Sequence, residues 1–486
     1  MPKIFRTILL LMASVPLFLI LSCQRDVIDT DPSLKLGFSV DTVMFDTVFT
    51  TVGSSTRRFT VHNNHKQKVS ISSIRLANGD NSFFRLNIDG QAANQAKDIE
   101  IEANDSIFIF VEVTVDPTQQ DLPLIITDSI VFNLNGNQQD VKLVAWGQDA
   151  HFVLPNSFII VDKDTVPCHV ITNDTIWSAN KPHVIYGLCL LYQDVTLTIE
   201  QGAKIHFHKG ASMLAYTGAS FKVYGSLENP VVFQGDRLEP FYREISGQWG
   251  GIYLLSTSKN HVFENTLIKN GTIGIQVDSV GSLTEPTLTI KNTVIRNMKY
   301  YGLEAQGSNV KAENLMVNNC EESALILQLG GEYEFLHCTF ANYNNTSIRK
   351  SASFKFNNYY IDTAGTVQIR DLTKAYFGNC VLTGGLQEEL IYDNYASGGV
   401  FNLVFDHCLL KTQKNTEGSQ YINILKNIDP KFKDIEANDF KPKADSPLIG
   451  AGKAEITLQV PVDLFGVDRG GRPDLGAIQY VEEEEE

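Results

Sequence analysis

The sequence predicts an all-β chain with two folded parts, a β-sandwich followed by a long solenoid of stacked coils. Two patterns carry this. Residues 36–150 alternate apolar and polar side chains in short runs split by turn dipeptides, with no helical period. From about residue 151 an asparagine-centred pattern returns at nearly fixed spacing.

The N-terminus comes first. Lys3 and Arg6 precede an apolar run over residues 8–21, then Leu21-Ser22-Cys23. That run is too short for a comfortable membrane-spanning helix and has the layout of a secretion signal, residues 1–22. Its end resembles the lipobox of bacterial lipoproteins. The resemblance implies that Cys23 becomes the lipidated N-terminus, anchored in the outer membrane. Residues 23–35 form a tether carrying Asp26, Asp29 and Asp31. It resembles the acidic export tract of Bacteroidetes lipoproteins, and a solvated linker accounts for it equally well, so cell surface and periplasmic face both stay open.

A formal charge of −16 over 486 residues argues against a surface that wraps polyanions, so nucleic acid is not an expected partner.

In residues 36–150 the alternation is clear in Arg58-Phe-Thr-Val61 and in Ser106-Ile-Phe-Ile-Phe-Val-Glu-Val-Thr-Val115. Turn signals fall at Asn78-Gly79, Asp89-Gly90, Asp116-Pro117 and Asn135-Gly136. The piece from Ala103 to Pro117 resembles the immunoglobulin-like domains that open many Bacteroidetes lipoproteins, which implies a spacer or docking module.

Taking Asn265 as reference, the matching positions are Asn292, Asn314, His337, Asn358, Asn379 and His407, a repeat near 22 residues. Two places earlier stand Phe263, Ile290, Ala312, Phe335, Phe356, Phe377 and Phe405. Five places later, Asn270, Asn297, Asn319 and Asn342 form another polar column. A unit this short cannot bury its own apolar face, so successive coils must stack, like on like, at about 4.8 Å. The pattern resembles the right-handed parallel β-helix, the pectate-lyase-like fold, over residues 151–430. Residues 431–480, with Asp445-Ser-Pro-Leu-Ile-Gly-Ala-Gly452 and Arg472-Pro-Asp-Leu-Gly-Ala-Ile-Gln-Tyr480, resemble the segment that closes many secreted β-helix proteins; residues 481–486 are an acidic tail. Asp463, Arg472 and Asp474 are expected to stabilise the cap, with Gln479 where the family has Glu.

Other polar residues have structural readings. Glu264, Lys291 and Glu313, and Lys311, Glu334 and Lys355, are expected to form charge ladders across coils. Cys338, Cys380 and Cys408 share a buried register. Cys168 and Cys189 are the one pair to test as a disulfide. His206 and His208 flank Phe207 with no third ligand in view, so no metal is assigned.

Arg349 and Arg370 both fall twelve places after a reference and are expected to stack outward on adjacent coils, near Glu304, Tyr300, Tyr301, Tyr359 and Tyr360. Arginines with exposed aromatics suit an acidic glycan, although nearby acids such as Asp371 or Glu389 can also take the arginines. The favoured reading is a lipoprotein whose β-helix is a non-catalytic binding or adhesive rod, probing polysaccharide or an envelope protein. The alternative is a polysaccharide lyase, with calcium, or a glycoside hydrolase. No catalytic residues and no cofactor are assigned.

Overall fold

The computed structural model describes residues 27–49, 54–114, 124–161, 163–282, 284–343, 349–395 and 398–482. The expected signal peptide, Cys23 and residues 483–486 lie outside the described residues. The chain divides into two compact units, Met1–Asp149 and Ala150–Glu486.

In the first unit, period-2 alternation gives each sheet one buried face. One sheet has five strands, in the order Gly37–Phe38, Arg57–His62, Ser106–Val113, Phe84–Ile88 and Gln91–Ala92. The other is built on Thr42–Phe49, Asn137–Gln148, Leu124–Leu134 and Val69–Leu76. Phe59, Ile109 and Val111 from the first meet Phe132, Ile74 and Leu143 from the second in one core. Two of the turn dipeptides are two-residue hairpins with both residues left-handed: Asp89-Gly90, between Ile88 and Gln91, and Asn135-Gly136, between Leu134 and Asn137.

The second unit is a stack of parallel strands in two long sheets, of eleven and eighteen strands. The register shows what the repeating asparagines do. Asn265, Asn292, Asn314, His337, Asn379, His407 and Asn423 all have φ between 46° and 53°. They are the corners where the chain leaves the larger sheet for the smaller one. Asn270, Asn297 and Asn319, with φ of 55° to 67°, turn the opposite end of the same short strands. Left-handed backbone costs most residues about 1–2 kcal/mol, and asparagine tolerates it through local hydrogen bonding.

The expected repeat fails at one place. Asn358 is not a left-handed corner; His337 is followed by Asn379, 42 residues on, whose Nδ2 lies 2.9 Å from His337 Nε2. This coil instead carries an antiparallel hairpin, Tyr359–Ile361 against Val367–Ile369. The aromatic column skips accordingly: Phe335 stacks on Phe377 at 4.9 Å and Phe377 on Phe405 at 5.1 Å, whereas Phe356 meets Phe377 edge-on at 82°.

The charge ladders follow the true register. Lys291 pairs with Glu313 at 3.1 Å, and Lys311 bridges Glu313 and Glu334. Glu334 then meets Lys374, not Lys355, because of the inserted hairpin. Cys338, Cys380 and Cys408 are fully buried in their column. Cys168 lies opposite Leu188 and Cys189 opposite His169; this one-step offset leaves both thiols free, so the pair singled out for a disulfide test is not bonded.

The closing segment lies along the outer face of the eleven-stranded sheet. Phe432, Phe440, Leu448, Leu464, Leu475 and Ile478 cover Met316, Ala341, Val381 and Leu409. Burial of each such side chain contributes about 1.5–3 kcal/mol. Asp463 and Asp474 are buried and accept backbone N–H groups from Phe465, Val467, Gln479, Gly450 and Tyr480. Gln479 accepts from the Asp474 N–H at 3.0 Å. Arg472 is exposed; the buried cation of this segment is Arg469, which donates to Asn314 Oδ1 at 2.8 Å.

Candidate functional site

Where the strands Ile273–Asp278, Tyr301–Glu313 and Ser323–Leu336 run side by side, Val277, Ala305 and Leu327 point into the core. Their neighbours therefore point out and stack in rows. One row runs Tyr253, Gln276, Glu304, Ile326 and Lys355. The next runs Asp278, Gln306 and Gln328.

Glu304 is the centre of this face. It is only 7% exposed, and its Oε1 accepts from Gln328 at 2.6 Å and Gln306 at 3.4 Å. Burial, reinforced by Asp278, raises its pKa above the usual carboxylate range against the opposing pull of Gln306 and Lys355. Burial likewise raises Asp278, with a Gln276 hydrogen bond opposing. Lys355 is lowered by burial and by Arg349, with Glu322 and Glu304 pulling the other way. Tyr301 is raised by burial, then by Glu322 and Glu304; Tyr253 is raised by burial and by Glu304. Three carboxyls, an amine and two phenols thus share one electrostatic neighbourhood.

Gln306 also lines an adjoining cavity of about 600 Å³, together with Ser279, Asn309, Glu332, Tyr360 and Arg370. The inserted hairpin supplies its wall. Arg370 is exposed, lies 5.4 Å from the Tyr360 ring centroid and donates to the Tyr360 hydroxyl at 3.4 Å and to Ile369 O at 2.9 Å. The floor includes Leu329, held at φ 61°. That conformation is an outlier for a bulky side chain and is maintained by an Asn357 Oδ1 hydrogen bond to its N–H at 2.8 Å.

The structure brings Glu304 to Tyr301 and Arg370 to Tyr360, with Gln306 between the two pairs. It separates the rest. Arg349 does not stack on Arg370: its side chain is 5% exposed and bound to Glu389, because the hairpin breaks the register that aligned the two arginines. Tyr359 donates to Asp393, and Tyr300 sits at the edge, 40% exposed. Asp278, Gln276, Gln306, Gln328, Lys355, Tyr253 and Glu322 escape sequence reasoning because variable loops shift their spacing between coils. The usable signal was several polar residues at outward positions of consecutive apolar strands.

His206 is buried beside Gly235 O at 3.3 Å and lowered to about 4 by burial, while His208 pairs with Asp236 at 2.7 Å. Among the described residues no group of three or more His, Cys, Asp or Glu side chains is arranged to hold a metal.

A family model for the right handed beta helix region matches residues 159–340. No curated protein matches the chain. Among solved structures, a family 123 glycoside hydrolase from Clostridium perfringens, studied for glycolipid glycan hydrolysis, aligns at 10% identity and TM-score 0.17 over 24% of this chain; the chain spans 30% of that structure. The PapD-like domain 7 of human CEP192 aligns at 9% identity and TM-score 0.18, over 27% of this chain and 96% of that domain. Both superpositions are too loose to bear on function. The matched stretch and the register of stacked strands agree that the second unit is a right-handed parallel β-helix.

Proposed function

We propose that this chain is an outer-membrane lipoprotein, anchored through Cys23, whose β-helix holds a saccharide chain on the Glu304–Arg370 face without cleaving it. The N-terminal sandwich is read as an immunoglobulin-like docking module. One observation carries the binding assignment: Gln306 joins the amide-and-carboxyl face around Glu304 to the cavity walled by Tyr360 and Arg370. Amides and carboxyls pair with sugar hydroxyls, an aromatic ring covers a sugar's apolar face, and a guanidinium takes an acidic substituent.

A second reading, glycosidic-bond hydrolysis, is favoured by Asp278 and Glu304. They stand on adjacent paired strands and interact electrostatically, and this chemistry needs two such carboxyls, one to donate a proton and one to accept it.

The test uses the chain lacking its first 23 residues, incubated with a panel of acidic and neutral polysaccharides and followed by retention and by mass spectrometry of products. The binding reading expects retention without fragments, weakened about ten-fold or more by Arg370→Gln or Glu304→Gln. Fragments that vanish in Glu304→Gln would establish hydrolysis instead. Retention unchanged in both variants would remove this face from the account.

A further inference from the structure

We propose that the outer face of the five-stranded sheet in the first unit is a separate binding platform for an acidic saccharide. The outward positions form a row across four strands: Arg58 opposite Phe110, Phe110 opposite Asn87, Asn87 opposite Ala92. At the usual strand spacing this row is about 14 Å long. On one side Glu112 lies opposite Arg85, and on the other Thr60 lies opposite Phe108.

The outer face of a sandwich sheet normally alternates to polar side chains. Here the central strand puts two phenylalanines outward in succession. Phe108 is 44% exposed, its ring is 6.3 Å from that of Phe110, and the Arg58 guanidinium lies 5.5 Å from its centroid. A cavity of about 620 Å³ opens beside them, lined by Thr56, Arg58, Arg85, Asn87, Phe110 and Glu112.

Three features select the occupant. The aromatic pair offers a flat apolar surface of the kind that covers a sugar ring's C–H face. Asn87 Oδ1 is buried against this cavity and accepts no hydrogen bond among the described residues, so it is matched by an occupant's hydroxyl or N–H. Arg58 and Arg85 line the cavity with one acid, Glu112, a local excess of positive charge on a chain of net charge −16, which favours an anionic substituent. Arg85 is held in place by donating to Ser82 O at 2.6 Å and Phe84 O at 2.8 Å. Glu112 accepts from the Thr56 hydroxyl.

This platform does not rest on the β-helix reading, and the experiment keeps the two apart. In an Arg370→Gln background, trigalacturonate and a chondroitin sulfate tetrasaccharide are titrated calorimetrically, with maltotriose as the neutral control. One equivalent of an acidic probe should still bind, about ten-fold or more weakly after Arg58→Gln or Phe110→Thr, and more weakly near 0.5 M salt, where the screening length falls to roughly 4 Å. If a variant fails to fold, hydroxyl-radical footprinting of the unmutated chain gives the answer, with protection expected at Phe108 and Phe110. Affinity unchanged in both variants, no protection at Phe108 and Phe110, preference for maltotriose, or no binding of either acidic probe would overturn the proposal.

Discussion

Arg349 and Glu389 form a closed two-point ion pair inside the β-helix, with side chains 5% and 0% exposed. Arg349 Nη1 donates to Glu389 Oε2 at 2.6 Å, and Nη2 donates to Oε1 and to Asn342 O. Glu389 also accepts the backbone N–H groups of Ser353 and Leu386. The pair therefore ties the coil entering Phe354 to the coil entering Leu390. Arg349→Ala strands a buried carboxylate and should cost about 3–5 kcal/mol, measured by denaturant unfolding. Glycan retention measured well below the lowered melting point should persist. A variant as stable as the parent but unable to bind would return Arg349 to the ligand face.

The corner asparagines make a second prediction. Asn265 has φ 46°, and its side chain reaches only Gly225 O, at 3.2 Å, among the described residues. Asn265→Ala should lose about 1–2 kcal/mol, and Asn265→Gly should recover much of it, since glycine adopts this backbone freely. Asn358 is buried but not left-handed; its side chain bonds the Tyr395 N–H and Val400 O. Asn358→Gly should therefore be no better than Asn358→Ala. Equal rescue at both sites would mean that Asn358 is a corner after all.

This contrast shows how far the sequence can be read. Asn265, Asn292 and Asn314 were legible because each needs the same backbone conformation and stands two places after an apolar residue of the inner column. Phe356 and Asn358 imitate the motif, yet Phe356 packs edge-on and Asn358 closes the hairpin base through its backbone O, and residue type alone does not separate these roles. The error then carried Arg349 outward by counting. Glu304 was legible as an acid on an outward position between apolar neighbours. Asp278, Gln328 and Lys355 were not, since they meet Glu304 only through pairing between coils.

The site also predicts a pH dependence. Glu304 is raised in the folded chain, by burial and then by Asp278. An acid with a raised folded pKa binds its proton more tightly when folded, so the protein holds more protons than the unfolded chain between the two values. Stability from this group is present at low pH and declines as pH climbs through the unfolded value near 4.5 to the folded one. Glu304→Gln removes the charge while keeping the shape. The variant should gain stability over the parent at pH 7 and lose that advantage near pH 4, as read from paired melting curves. A difference that stays flat with pH would show that Glu304 titrates as it does in the unfolded chain.

The inserted hairpin separates fold from function. Its base is closed by the Arg370 N–H to Asn358 O bond at 2.7 Å and by the Tyr359–Ile369 pairing. The coil stack runs past it, because Leu336 pairs directly with Gly378 and Phe335 stacks on Phe377. Replacing residues 360–368 with two glycines leaves a two-residue hairpin on the same base. Shortening a loop whose ends are already fixed changes closure entropy by roughly 1 kcal/mol or less, so unfolding should shift little. Tyr360 leaves the cavity wall, and Arg370 loses the ring and hydroxyl that position it. Saccharide retention on the β-helix should then fall about ten-fold or more in the folded variant. Full retention in a chain that also carries Arg58→Gln would place the ligand around Glu304 alone, and collapse of the fold would make the hairpin part of the coil.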